Sequence, residues 1–291
     1  MITLFSYGGG QDSFAILLKL GLDDAFRKKH SKGKIVVVMS DTGAEHPYTY
    51  KHIQTVRLLV SKIPDMEFHF LEAGSRFHPT NWPSLWRGYA KYNSIGSVAF
   101  PQTCTDNLKV RPIDNFLKEY IYTMYQTEHR DYRSVIEYGE KYGKIPLILG
   151  FAKGEESRAK NSKHDAKWKK SWLERTYPLI EEGIDRQGAQ DIIKNSGFPL
   201  IPPSNCMTCF YMSEIELLWL YRNERVTFNM WVELEQNKLD NNAGAKDNLG
   251  VFGRGTILDK LKIAQEKHGH MSNDELLEYK MSHGHCVKSR Y

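Results

Sequence analysis

The sequence predicts an α/β protein built on a parallel sheet. Short apolar runs recur through the first half, and segments with helical periodicity lie between the early ones. The first run also passes through three consecutive glycines into an apolar helix, the order expected where a strand delivers a loop to a ligand.

The strand-like runs are Ile2 to Phe5, Ile35 to Met39, Phe68 to Leu71 and, just after Pro146, Leu147 to Leu149. Phe14 to Leu20 and Tyr48 to Lys62 read as helices between them. Helices between parallel strands leave ligand sites at the strand C-termini. A turn-rich stretch from Gly197 to Cys209, with Pro199, Pro202 and Pro203, marks a boundary. The expected division is therefore residues 1–200 as an α/β domain and residues 201–291 as the C-x-x-C segment and a small helical subdomain. In the latter, Ser213 to Asn223 and Thr256 to Lys267 read as helices, and the glycine-rich stretch Asn241 to Gly255 as a loop.

At 291 residues the chain buries a sizeable core, and 41% hydrophobic with 26% charged residues is an ordinary soluble composition. No apolar run approaches the roughly 18 residues of a bilayer span. The start MITLFSYGGG has neither the basic region nor the long apolar stretch of a signal peptide, so a cytoplasmic chain without a membrane partner is expected. A net charge of +5 is too small to establish nucleic-acid binding.

Ser6-Tyr7-Gly8-Gly9-Gly10-Gln11-Asp12-Ser13 has the composition of a phosphate loop. Glycines let the backbone turn sharply and set amide N–H groups against phosphate oxygens, and the following helix N-terminus adds partial positive charge. Ser13 adds a hydroxyl donor. No Gly-Lys-Ser/Thr closes the turn, which excludes a Walker A loop.

Gly8 to Ser13 resembles the S-G-G-x-D-S motif of the PP-loop ATP pyrophosphatases, with Gly8 in place of the first serine and Ser6 as the nearby hydroxyl. Within that superfamily the chain is similar to the phosphoadenosine phosphosulfate (PAPS) reductase-like family. Ser40 to Pro47 looks like its D-T-G-x-E-x-P segment, and Thr103 to Pro112 its C-x-x-x-x-K-x-x-P segment. Gly150 to Arg158 is similar, out of register, to G-x-R-x-x-E-S-x-R. The resemblance implies a Rossmann-like sheet with helices on both faces that binds ATP or another adenine nucleotide with Mg²⁺. Ser6, Gly8, Gly9, Gly10, Asp12, Ser13, Asp41, Thr42, Glu45 and Gly150 are the expected nucleotide contacts. The catalytic candidates are Asp12, Ser13, Asp41, Lys109 and Arg158, with Arg111 a further phosphate partner. Physically, Asp41 and Glu45 suit Mg²⁺ or ribose hydroxyls, and the basic residues suit phosphates.

Cys206-Met207-Thr208-Cys209 follows a proline turn with C-x-x-C spacing, in a chain of only four cysteines. Such thiolates hold zinc or an iron-sulfur cluster, and spacing does not choose between them. The resemblance adds that iron-sulfur members use a Cys-Cys pair before R-K-x-x-P together with a later C-x-x-C, and this chain has Thr103-Cys104 in the place of that pair. Cys104, Cys206 and Cys209 would then bind a [4Fe-4S] cluster, and the fourth ligand would be Cys286, a non-protein ligand or nothing. Zinc and reduced, packed thiols are the alternatives. His268-Gly269-His270 and His283-Gly284-His285 are better explained by helix ends than by metal.

Lys153 to Arg175 is rich in basic residues interleaved with Trp168 and Trp172, which suits either phosphate and base contacts or an exposed charged helix. Trp82, Trp86, Tyr89 and Tyr92 fit core packing better than base stacking. Three functions follow. In the preferred one, ATP adenylates an oxygen, pyrophosphate leaves, and sulfur or nitrogen replaces the activated oxygen; a nucleic-acid acceptor and a sulfur-donor protein are the implied partners. In the second, Cys286 attacks the sulfur of a sulfonucleotide such as PAPS or APS. The third is a non-catalytic nucleotide-binding module. Asp12-Ser13 keeps the ATP-cleaving motif, whereas Cys286 lacks the reductases' E-C-G-x-H surroundings.

Overall fold

A computed structural model describes residues 1–100, 103–159 and 165–282. The chain begins β1 (Ile2–Ser6), α1 (Gln11–Leu22), α2 (Asp24–His30), β2 (Lys34–Ser40), α3 (Pro47–Val60), β3 (Met66–Leu71) and α4 (Leu85–Tyr92). A π-helical turn at Asp106–Val110 precedes α5 (Arg111–Tyr125) and α6 (Tyr132–Tyr142). Next come β4 (Ile145–Leu149), α7 (Glu156–Ala159), α8 (Lys167–Trp172), β5 (Leu173–Thr176), α9 (Pro178–Glu181) and α10 (Arg186–Asn195). The last helices are α11 (Glu214–Asn223), α12 (Arg225–Asn241), α13 (Ile257–His268) and α14 (Asn273–Ser282).

Two compact units share these elements. The first comprises Met1–Ser40, Pro47–Glu72 and Val110–Ile201; the second comprises Asp41–His46, Ala73–Lys109 and the chain from Pro202 onward. Instead of one cut near residue 200, segments 41–46 and 73–109 join the C-terminal part. The reason is packing: Ala44, Leu85, Tyr89 and Leu108 form one apolar cluster with Trp82, Trp86, Cys104 and Cys206. Backbone pairing adds to it, since Met207 N donates to Ala44 O at 2.8 Å and Glu45 bridges Cys206.

In the first unit all five strands are parallel, in the order β3-β2-β1-β4-β5. Strand β1 is central and pairs Phe5 with Val37 on one side and Ile148 on the other. Its apolar run is continuous because both sheet faces are covered. Phe5, Val37 and Met39 enter one core with Phe14 and Leu17 of α1, Ile53 and Val56 of α3, and Ala189 and Ile193 of α10. The alternate residues Leu4, Val36 and Val38 point to the opposite face and are equally buried; α5 packs on β2. This is a Rossmann-like α/β sheet. Between β1 and β4 the strand order reverses, the position at which open α/β sheets bind their ligands.

The second unit is helical. Trp231, Phe228, Leu217, Leu218, Ile257, Leu261 and Leu276 build its core. Capping boxes start α11 at Ser213 and α13 at Thr256. Buried Glu235 accepts from Val251 N at 2.7 Å and Ile257 N at 2.8 Å, which fixes the glycine-rich loop. No described helix is long and apolar enough to cross a membrane.

Candidate functional site

The turn after β1 sits at the reversal point. Tyr7 N still pairs with Val38 O at 2.9 Å, and α1 begins at Gln11 with Gly10 as its N-cap. Gly10 has no side chain to cap the helix, and α1 starts without a side-chain cap. Gly9 adopts φ +75°, the left-handed region that side chains disfavour. A Cβ there would also lie 2.9 Å from Met39 Cε. Behind the loop, Tyr7 Oη and His52 Nε2 share a hydrogen bond at 2.6 Å, and burial holds the His52 imidazole down to about 4, so it is neutral.

Gly150, at the end of β4, closes the turn from the other side. A Cβ on it would stand 3.2 Å from the N, Cα and Cβ of Ser13. Ser13 Oγ donates to Gly10 O at 3.0 Å. Asp12 Oδ2 accepts from Arg186 Nη2 at 3.2 Å, while its Oδ1 is buried without a hydrogen-bond partner. Burial raises the Asp12 carboxyl above its usual range, Arg186 and Arg158 oppose that, and Glu155 adds to it. Arg158 Nη1 donates to Glu155 Oε1 at 2.8 Å, and the Arg158 guanidinium carbon lies 4.2 Å over the Phe151 ring, which itself stacks on Tyr177. Ser6, Gly8, Gly9, Gly10, Asp12, Ser13, Gly150 and Arg158 therefore belong to one unit.

Asp41, Thr42, Glu45 and Lys109 belong to the other. Asp41 shapes its own turn, accepting from Gly43 N at 2.8 Å and Ala73 N at 3.4 Å. Gly43 needs φ +72°, and a Cβ would meet Ser84 Cβ at 2.8 Å. Thr42 Oγ1 donates to Glu45 Oε1 at 2.9 Å and lies 3.3 Å from Cys206 Sγ. Glu45 is 2% exposed; its Oε1 is 3.9 Å from both Lys109 Nζ and Cys206 Sγ, and its Oε2 has no hydrogen-bond partner. Cys209 N donates to Cys206 O at 3.2 Å across the C-x-x-C turn. Burial, and then Cys104, Cys206 and Cys209 around it, push the Tyr89 phenol well above its ordinary value. Cys104 and Cys206 pack in the apolar cluster that contains Tyr89. Among the described residues no three His, Cys, Asp or Glu side chains converge on one ion, and Cys286 lies outside the described residues.

Other sequence-selected residues pack within their units. Lys118 and Lys169 cover Trp168, Trp172 fills the space over Gly139, and Lys169 pairs with Asp114. Trp82 meets Tyr89 edge to face, and Tyr92 is exposed. Gly269 ends α13 in a right-handed conformation instead of a left-handed one. Sequence reasoning missed Arg186 and the buried pair in which Lys280 Nζ donates to His46 Nε2 at 2.7 Å. Burial lowers Lys280 to about 8, and burial with the Lys280 charge lowers His46 to about 2. An aspartate before a helical run marks Arg186 as a first-turn residue but does not say what that turn faces.

Fold and loop together define the class: a Rossmann-like α/β protein with a left-handed glycine turn at its strand-order reversal. The chain is similar to two solved structures. One is the phosphoadenylyl-sulfate (PAPS) reductase from Candida auris in a phosphate complex. It is 14% identical with a TM-score of 0.37, covering 68% of this chain and 74% of that one. The other is the U34-tRNA thiolase NcsA from Methanococcus maripaludis with its [4Fe-4S] cluster, 12% identical with a TM-score of 0.41, covering 94% and 74%. No protein-family model and no curated protein matches the chain.

Proposed function

We propose that the chain is an ATP pyrophosphatase that adenylates an oxygen and prepares it for replacement by sulfur, with a nucleic acid as the candidate acceptor. The observation that carries this is the left-handed turn at Gly9, seated at the strand reversal and closed by Gly150 against Ser13. Amides at Gly8 to Ser13 and the Ser13 hydroxyl would hold the departing pyrophosphate, stabilising charge that develops as the α–β phosphate bond breaks. Asp12 serves the magnesium of the nucleotide, and Arg158 the phosphates. Asp41, Thr42, Glu45 and Lys109 are assigned to the same reaction from their sequence motifs.

The cysteines are assigned to a metal centre from their C-x-x-C spacing and their motif, with an iron-sulfur cluster preferred and zinc as the alternative. Cys104, Cys206 and Cys209 would hold such a cluster beside Tyr89, with Cys286 as the fourth candidate. When bound, it would supply a thiophilic iron for the sulfur to be transferred. Thr42 and Glu45 orient Cys206, and the packed rings of Tyr89 and Trp86 exclude water.

Release of pyrophosphate from MgATP, measured with bulk tRNA or single-stranded DNA as acceptor, tests the reaction. Acceptor-dependent release that is lost in Asp12→Ala and Ser13→Ala is expected. Undiminished MgATP affinity and turnover in both variants would remove the assignment.

A further inference from the structure

Arg186 is the first residue of α10, and the fold fixes where it starts. Asp185 caps the helix by accepting from Gly188 N at 2.8 Å. Two ties then hold the helix against the glycine turn. Ala189 and Ile193 are buried in the same core as Phe14 and Leu17 of α1, and Gln190 Nε2 donates to Gln11 Oε1 at 3.0 Å. Just upstream, Ile184 O accepts from Lys153 N at 2.8 Å, which joins the start of α10 to the loop after β4. A residue 174 positions along the chain is thereby delivered to Asp12 from a rigid platform.

The charges around it are balanced in kind. Arg186 meets Asp12 at 3.2 Å, Arg158 meets Glu155 at 2.8 Å, and the second pair acts electrostatically on Asp12. Asp12 keeps one buried oxygen unpaired, an arrangement that costs stability and that folds retain at working sites. Two guanidiniums suit phosphate oxygens and two carboxylates suit a hard cation, which is the composition of a magnesium polyphosphate.

We propose that Arg186 is a phosphate-binding residue of this loop, turning its guanidinium fork from Asp12 to a terminal phosphate oxygen while Asp12 turns to the magnesium carried by the nucleotide. The proposal rests on the loop being a nucleotide site and adds a residue that its motif does not contain. It also commits to a fork: lysine in this place offers a point charge without the paired donors.

Calorimetric titration of MgATP, magnesium pyrophosphate and MgAMP into the full chain, Arg186→Gln and Arg186→Lys tests it. Arg186→Gln is expected to lose about 10- to 100-fold in affinity for MgATP and pyrophosphate, with little change for MgAMP. Arg186→Lys recovers part of the loss. Asp12→Asn compared with Asp12→Asn/Arg186→Gln repeats the measurement without an unpaired aspartate, so a misfolded single variant does not decide the outcome. Wild-type affinity for both polyphosphates in Arg186→Gln overturns the assignment while leaving the loop reading intact. An equal loss for MgAMP makes the residue merely structural and also overturns it. If the unaltered chain binds neither MgATP nor pyrophosphate, both readings fall.

Discussion

Gly9→Ala separates a loop built by backbone conformation from one that merely contains glycine. At φ +75° an L-residue costs about 1–2 kcal/mol. The new methyl also stands 2.9 Å from Met39 Cε and 3.5 Å from Thr49 Cγ2. Met39 ends in a flexible methyl, yet it is 2% exposed and packed, so its displacement adds about 1 kcal/mol of overpacking. The expected loss is therefore about 2–3 kcal/mol in urea unfolding. Gly8→Ala is the internal control: its Cβ has Ser13 Oγ as nearest neighbour at 3.9 Å, and its φ lies outside the left-handed region, so a change within about 0.5 kcal/mol is expected. MgATP affinity should fall in Gly9→Ala, because escape to negative φ redirects the loop amides. Equal stability and equal MgATP affinity in the two variants would refute the conformational argument.

Gly150→Ala should act on binding more than on stability: its methyl meets Ser13 backbone, which has no freedom to swing, and a shift of a few tenths of an ångström should weaken MgATP about tenfold by calorimetry. His52 predicts an acid limb. Folded His52 stays neutral down to about 4 while the unfolded imidazole protonates near 6.5, so its contribution is complete above 6.5 and is lost as pH falls towards 4. The stability difference between wild type and His52→Gln should accordingly shrink by about 3 kcal/mol from pH 7 to pH 4 in urea titrations; a constant difference would contradict it. Cys206→Ser and Cys209→Ser, purified anaerobically, should lose the iron and visible absorption of the wild type, and an unchanged metal content and spectrum would place the centre elsewhere.

What was legible in the sequence was what the chain does over a few consecutive residues. Strands β1 and β2 announce themselves because burial on both faces makes nearly every position apolar, and the glycine turn does so because its amides come from one uninterrupted segment. Strand β5 stays hidden: it is an edge strand of four residues, Leu173–Thr176, in which only Leu173 is buried. The prolines at 199–203 punctuate one boundary, but nothing comparable marks residues 41 or 110, where the chain changes units. Spatial return was the illegible part, and Arg186 shows it.

The segment after β2 is explained in part by the turn it makes. Asp41 and Gly43 are required by the turn itself, through the Asp41 contacts to two backbone amides and the left-handed Gly43. Their presence is therefore explained before any ligand is considered. Thr42 and Glu45 are not needed for that turn, and both reach Cys206 in the same unit. A carboxylate that is 2% exposed and leaves one oxygen unpaired is expensive to keep beside a thiol. Glu45→Gln removes the charge and keeps the shape, so it should raise stability if Glu45 serves only the fold and lower pyrophosphate release if it serves the reaction; urea unfolding and the release assay on one variant distinguish the two, and a variant unchanged in both would show that the buried charge does neither.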